Sequence, residues 1–199
     1  MPFPKGAAQF PSAAFAQQSY VGVADQKLGT VTMGRGFTTY FWMLSPYSPV
    51  KYLPGPIGAH PGDVDNLDID YKTSNTIRYI SPVDSGVTFS GGYSLSGVPG
   101  CTNCGASWSA GANYIANSFG IAAAIERFNN SNSQGGVWGA NSTATANGEQ
   151  AVSAITNGFQ TAAAQQRFAV TGGYTFNDKF DIQLSYSNVQ YIPGNGSSY

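Results

Sequence analysis

The sequence predicts an all-β protein, an antiparallel β-barrel that crosses a membrane. The strongest observation is a hairpin at 167–187, where apolar and polar side chains alternate along both arms. Each arm keeps this period of two for about ten residues, whereas strands of soluble proteins average about five or six. A strand tilted across a bilayer needs about nine to eleven, with apolar residues toward lipid and polar residues toward water. The predicted lipid-facing stripe is Phe168, Val170, Tyr174, Ile182, Leu184 and Tyr186.

Composition supports the same fold class. Of 199 residues, 10% are charged and 14% aromatic, and 25 are glycine, whereas about 25% of residues in average soluble proteins are charged. Low charge with many aromatics fits a barrel with aromatic girdles, although a Gly-rich soluble β-sandwich or an adhesin-like fibre module also fits. The net charge of −1 gives no electrostatic case for nucleic acid. No apolar run approaches the roughly 18 residues of a membrane helix.

The first strands follow an irregular start. Residues 1–17 are rich in Pro, Ala and Gln, and they lack the continuous apolar core of a signal peptide. We therefore expect the chain to be a fragment or to have its true start upstream. Alternation begins at 19–24 and continues at 29–35 after a short connection, with one apolar face formed by Val21, Val23, Val31 and Met33.

A long segment from 37 to 75 then interrupts the strands. It contains five prolines and no clear periodicity, and it carries a run of carboxylates: Asp63, Asp65, Asp68 and Asp70. Nearly forty such residues are long for a compact domain, so we expect a functional or disordered loop. The spacing of the first two aspartates begins like a calcium-binding EF-hand loop, but the required glycine and glutamate are missing. A solvated loop is the other alternative.

Six further strands complete the pattern. They are predicted at 76–81, 87–94, 107–114 and 119–125 and on the two arms of the 167–187 hairpin. A Gly-rich loop separates the second and third of them, and a loop over 129–165, with a short helix predicted at 148–164, precedes the hairpin. Short and long connections therefore alternate, which is the layout of an outer-membrane barrel of about eight visible strands.

Cysteine and histidine usage gives little support for catalysis or metal binding. Cys101 and Cys104 form a C-x-x-C in a loop between strands, not at a helix beside a βαβ unit. Zinc needs two more ligands, and His60 is the only histidine. A local disulfide, which export favours, and two free thiols both remain open. The only glutamates, Glu126 and Glu149, are not spaced as a hydrolytic pair. We expect no enzymatic activity, no metal and no cofactor.

Several segments in order resemble the general diffusion porins of Gram-negative bacteria, in particular the sixteen-stranded trimeric porins of β-proteobacteria. They are QSYVGVADQKLGTVTMGRG at 18–36, PGDVDN at 61–66, NTIRYISP at 75–82, FSGGYSLSG at 89–97, SAGANYIANSFGIAAAIERFNN at 109–130 and AVTGGYTFNDKFDIQLSYSNVQY at 169–191. The resemblance covers 18–191. Members of the family begin with a signal peptide and several earlier strands and end on a strand that closes with Phe, and this sequence shows none of these features. The resemblance implies that 18–199 is part of a barrel and supplies about half of its sixteen strands. It also implies that the barrel lies in outer-membrane lipid and that the complete protein is a trimer.

The resemblance also implies a constriction inside the barrel. The loop over 37–75 would fold inward, and its carboxylates Asp63, Asp65, Asp68 and Asp70 would face basic residues on the wall: Arg35, Arg78, Arg127 and Arg167. Such opposed charges create a transverse field across a narrow, wet passage. Arg78 lies opposite the Ile77 face and is expected to point into the lumen. Strict alternation places Arg35 on the lipid face, unless a bulge at Gly34 turns it inward or the strand has already ended.

The function implied is a passive, water-filled channel for ions and small hydrophilic solutes. A non-transport surface β-protein, such as an adhesin or a lectin-like binding module, is the alternative. An outer-membrane hydrolase ranks third because a credible catalytic set is missing.

Overall fold

Eight strands form one antiparallel sheet in chain order, which confirms the predicted meander. The computed structural model describes residues 18–48, 67, 72–96, 99–130, 162–177 and 180–194. The strands are β1 (Ser19–Asp25), β2 (Gly29–Phe37), β3 (Lys72–Ile80), β4 (Val87–Ser94), β5 (Ser107–Ala116), β6 (Phe119–Asn129), β7 (Ala162–Asn177) and β8 (Phe180–Pro193). Every strand pairs with its sequence neighbours, and within the described residues β1 and β8 are the two open edges.

Tight turns join consecutive strands at one end of the strands. The carboxylate of Asp25 accepts backbone hydrogen bonds from Lys27 (2.8 Å) and Leu28 (2.9 Å), and this closes the β1–β2 turn. Asn117 adopts a positive φ of 46° in the two-residue turn between β5 and β6. Asn tolerates that left-handed conformation better than most residues, so the sequence itself favours a tight hairpin there. The longer connections leave from the opposite end of the strands.

The sheet has two chemically different faces. Residues directly opposite each other on paired strands share a face, so the register assigns every strand position. The apolar face carries large exposed side chains, including Leu184 at 72% exposure. Its other members include Val31, Ile77, Phe89, Trp108, Ile121, Phe168, Ile182 and Tyr186. The polar face carries small or polar residues, including Thr32, Arg78, Ser90, Ser109, Ala122, Ala124, Ala169, Thr171 and Gln183.

The hydrophobic core lies on the polar face, under a short helix that follows β2. Helix α1 (Thr39–Leu44) continues into a 3₁₀ turn at Ser45–Tyr47. Thr38 caps α1, because its hydroxyl accepts a hydrogen bond from the Phe41 backbone N–H at 3.2 Å. The core cluster consists of Tyr40, Met43, Leu44, Leu67, Ala122, Ala124 and Ala169. The part of the long segment that is described therefore lies against the polar face.

Several predicted boundaries are wrong. β7 begins at Ala162, so the predicted 148–164 helix fails over 162–164, and its remainder lies outside the described residues. β8 extends to Pro193 and β3 begins at Lys72. At the starts of β3 and β7, small and polar residues give no apolar contrast, which hides the period of two. At the end of β8 the alternation reverses, because Val189 and Tyr191 lie on the polar face, opposite Arg167 and Gln165. The predicted irregular segment 1–17 lies outside the described residues. No helix among the described residues is long and apolar enough to span a membrane.

Candidate functional site

Small residues on the polar face form a seat for α1 and the 3₁₀ turn. A Cβ added at Gly120 would overlap the ring of Tyr47. A Cβ at Gly111 would lie 3.1 Å from Cγ of Met43 and 2.8 Å from Cβ of Ala124. Because these positions lack side chains, the segment after β2 packs directly on the sheet.

Side-chain hydrogen bonds hold this segment at both ends. At its start, the Thr39 backbone N–H donates to Oγ of Ser109 at 3.2 Å, and the Thr39 and Ser90 hydroxyls lie 3.3 Å apart. At its end, the hydroxyl of Thr171 donates to the backbone carbonyl of Leu44 at 3.1 Å. The polar groups come from β4, β5 and β7, so the segment bridges the middle of the sheet.

Arg78 lies on the polar face beside the start of α1, as its alternation predicts. It is 8% exposed, and its Nη1 donates to the backbone carbonyl of Phe37 at 3.2 Å. The guanidinium carbon lies 5.6 Å from the ring centre of Trp42 and 5.8 Å from that of Tyr20, within cation–π range. Within the described structure, its buried Nε has no hydrogen-bond partner.

Two more cations lie near Arg78. Nζ of Lys72 is 5.3 Å from the ring centre of Phe37. Nη1 of Arg35 donates to the hydroxyl of Ser74 at 2.8 Å, and Arg35 lines a small cavity together with Arg78. The β2–β3 register shifts between Gly34 and Gly36, which is the irregularity that the sequence analysis considered at this position. The end of β2 and the start of β3 thus concentrate positive charge.

Arg167 lies on the polar face but is buried, with 2% exposure. It pairs with the fully buried Glu126 at 2.8 Å and donates to Oε1 of Gln165 at 2.8 Å. Its guanidinium carbon lies 5.2 Å from the ring centre of Phe128. Glu126 balances its charge, and a role for Arg167 as a basic residue of the wall stays a prediction.

Arg127 lies on the opposite face of the sheet from Arg78, which does not match its expected place among the basic residues of the wall. The register sets it directly opposite Trp108 on β5 and Gln166 on β7, in the apolar face. Its Nε donates to Oδ1 of Asn129 at 3.0 Å. Glu126 and Arg127 are consecutive and therefore point to opposite faces, so only one of them can share the face of Arg167.

A profile of the Gram-negative porins matches residues 5–199, nearly the whole chain. The chain belongs to this family. No curated protein matches it. Among solved structures, an anion-selective porin from Comamonas acidovorans is similar, with 11% identity and a TM-score of 0.37. The alignment covers 88% of this chain and 57% of that one, so this chain spans under two thirds of that porin.

The remaining predicted residues divide into two groups. The four aspartates, Asp63, Asp65, Asp68 and Asp70, and the histidine His60 lie outside the described residues. Cys101 and Cys104 form a disulfide, one of the two alternatives left open by the sequence. Within the described ranges, no group of three or more His, Cys, Asp or Glu is placed to hold a metal ion.

Sequence reasoning missed residues that shape this porin's polar face. Lys72 packs on the Phe37 ring and Trp42 lies against the Arg78 guanidinium, but both residues fall in the segment that shows no periodicity. Thr38 followed by the run TYFWML contains a helix signal, namely a capping threonine before large apolar residues. The surrounding prolines obscured that signal.

Proposed function

We propose that the chain forms part of the wall of a passive, water-filled channel in the outer membrane, for ions and small hydrophilic solutes. The observation that carries this proposal is the division of one sheet into an exposed apolar face and a polar face that holds α1. In the proposed arrangement the apolar face contacts lipid and the polar face lines the lumen. Passage needs no cofactor and no energy input.

The open edges of the sheet constrain the proposal. Unpaired backbone N–H and C=O groups are too costly in hydrocarbon, so a membrane sheet must close into a barrel. β1 and β8 therefore need pairing partners in the working pore. We propose that further strands close the barrel and that the complete protein assembles as a trimer, as the family resemblance implies.

The segment after β2 is proposed to narrow the lumen. α1 and the 3₁₀ turn lie across the polar face of β4 to β7, and Thr39 and Leu44 are both hydrogen-bonded to the wall. A segment anchored in this way occupies space that solutes would otherwise use. We propose size exclusion at this level as the basis for admitting small solutes only.

Charge is proposed to set ion preference. Arg35, Lys72 and Arg78 are clustered where α1 begins. We propose that Asp63, Asp65, Asp68 and Asp70 face this cluster across the passage. Opposed charges in a narrow, low-dielectric constriction act strongly on passing ions.

Reversal potentials in planar bilayers under a salt gradient test this function. The complete wild-type protein, with the strands that close the barrel, should insert with stepwise conductance. Arg78→Gln should shift the preference toward cations, and Asp65→Asn should shift it toward anions. Lys27→Gln is the matched control: it removes one positive charge in the exposed β1–β2 turn and should change little. Membrane insertion without any conductance would contradict the channel. Equal reversal potentials in all four proteins would contradict the assigned constriction.

A further inference from the structure

A cleft of about 610 Å³ opens where the long connections leave β4 to β7. Its lining includes four residues that the register assigns to the apolar face: Tyr93, Trp108, Arg127 and Asn129. Tyr93 and Trp108 are directly opposite each other, and Trp108 is directly opposite Arg127. Two aromatic rings and one guanidinium therefore follow one another across three strands at the same height.

The height of this row matches the boundary of a membrane. Arg127 comes eight residues after Phe119, where β6 begins. At about 3.4 Å per residue and a tilt of about 40°, that is about 21 Å above the tight turns, near the upper limit of an apolar band about 25 Å tall. The row continues through Gln166 and Gln190, whereas the residues below it toward the tight turns are apolar, such as Ile125 and Phe168. The row thus lies at the polar edge of the apolar face.

Arg127 is the one charged side chain among the described strand residues of the apolar face from β4 to β7. Its only described side-chain partner is the neutral amide of Asn129, at 3.0 Å. Covering it with another apolar surface would bury a guanidinium without a counter-charge, which is costly. The chemistry of the cleft therefore favours an anionic occupant that also has apolar parts.

The Cys101–Cys104 loop gives the cleft a fixed wall. The disulfide closes the loop, and the Ser96 hydroxyl donates to the Cys104 carbonyl at 2.6 Å. The Gly105 N–H donates to the Asn130 carbonyl at 2.9 Å, which holds the loop against the end of β6. A wall fixed in this way preforms the cleft and reduces the ordering cost of binding.

We propose that this cleft binds the phosphate-bearing headgroup of an outer-leaflet lipid. The Arg127 guanidinium donates to the phosphate in a charge-assisted contact, and its planar fork suits bidentate binding of phosphate oxygens. Trp108 and Tyr93 pack against the adjoining sugar and the first part of the acyl chains, as amphipathic aromatics do at membrane interfaces. The inference rests on the proposed function, because it requires the long connections to lie on the outer side.

Lipid titrations followed by native mass spectrometry test this site. The folded protein in detergent micelles is titrated with bisphosphorylated lipid A and with the same lipid stripped of both phosphates. Wild type should bind the phosphorylated lipid at least about ten-fold more tightly, as expected for one charge-assisted contact. Arg127→Gln should remove that preference. Lys27→Gln also removes one positive charge, but at the opposite end of the strands, and it should retain the preference for the phosphorylated lipid.

The outcomes separate this site from the channel function. A conducting wild type that binds both lipids equally would overturn the site and leave the channel standing. A wild type that prefers the phosphorylated lipid without conducting would support the site and contradict the channel. Competition by inorganic phosphate at the same concentration as the lipid would overturn a lipid headgroup as the source. Loss of self-association in Arg127→Gln, with lipid preference intact, would assign the cleft to a second copy instead and overturn the proposal.

Discussion

Exchanging Leu184 for arginine should weaken folding of the complete barrel into a membrane, whereas the same change at its neighbour Gln183 should not. Leu184 is on the apolar face and 72% exposed. Gln183 is on the polar face, directly opposite Gly173. The two side chains are consecutive on β8 and point to opposite sides, so the pair compares the two faces at almost the same depth.

The expected magnitude follows from the depth of Leu184. It is four residues from Phe180, where β8 begins. At about 3.4 Å per residue and a tilt of about 40°, it lies about 10 Å above the turn, close to the middle of an apolar band about 25 Å tall. Arginine on the lipid face at that depth costs about 2 to 4 kcal/mol. At 1.4 kcal/mol per factor of ten, this is a loss of about 30- to 700-fold in the folding equilibrium.

Folding into liposomes, followed by heat-modifiable gel migration across a urea series, measures this difference. Leu184→Arg should unfold at a lower urea concentration than wild type, and its free energy of folding should be less favourable by about 2 to 4 kcal/mol. Gln183→Arg should fold like wild type and change conductance, because its charge then lies in water. If Gln183→Arg blocked folding and Leu184→Arg did not, the assignment of the two faces would be reversed.

Three further substitutions probe the seat of α1 and the buried ion pair by urea unfolding. Gly120→Ala should destabilise by about 1 to 3 kcal/mol because the added methyl overlaps the tyrosine ring seated there; Gly91→Ala, with its nearest neighbour 3.8 Å away, should be close to neutral. Thr171→Val removes the hydrogen bond to the carbonyl at the end of α1 and should cost about 1 to 3 kcal/mol; wild-type stability would contradict that anchor. Arg167→Met leaves Glu126 buried without its counter-charge and should cost about 3 to 5 kcal/mol. Adding Glu126→Gln should recover part of that loss, and strictly additive costs would contradict the pairing.

The strands were predictable wherever apolar and polar side chains alternate. β8 was recognised from Phe180 to Ser187 because each second residue is large and apolar. The start of β7 was missed because Ala162 to Gln166 offer only small and polar side chains. The two faces of β7 carry side chains of similar polarity there, so hydrophobicity does not alternate along the sequence and the strand is not recognised.

The candidate site was less predictable because it depends on register and packing. Arg78 was placed correctly, since its neighbours on β3 are apolar. Arg127 was assigned to the wall from the family resemblance, which does not say on which face of the sheet a residue lies. Its position next to Glu126 already implied that the two side chains point to opposite faces. The burial of Arg167 required knowing that Glu126 lies directly opposite it, a long-range pairing that local pattern does not show.

The most direct test of the central claim is cysteine accessibility during current recording. Ser185 is on the polar face and Tyr186 is on the apolar face, one residue apart on β8. The native Cys101 and Cys104 are joined in a disulfide and should not react. A charged, membrane-impermeant thiol reagent should reduce the current stepwise through Ser185→Cys pores and leave Tyr186→Cys pores unchanged. Modification of Tyr186→Cys with no effect at Ser185→Cys would contradict a water-filled lumen on the polar face.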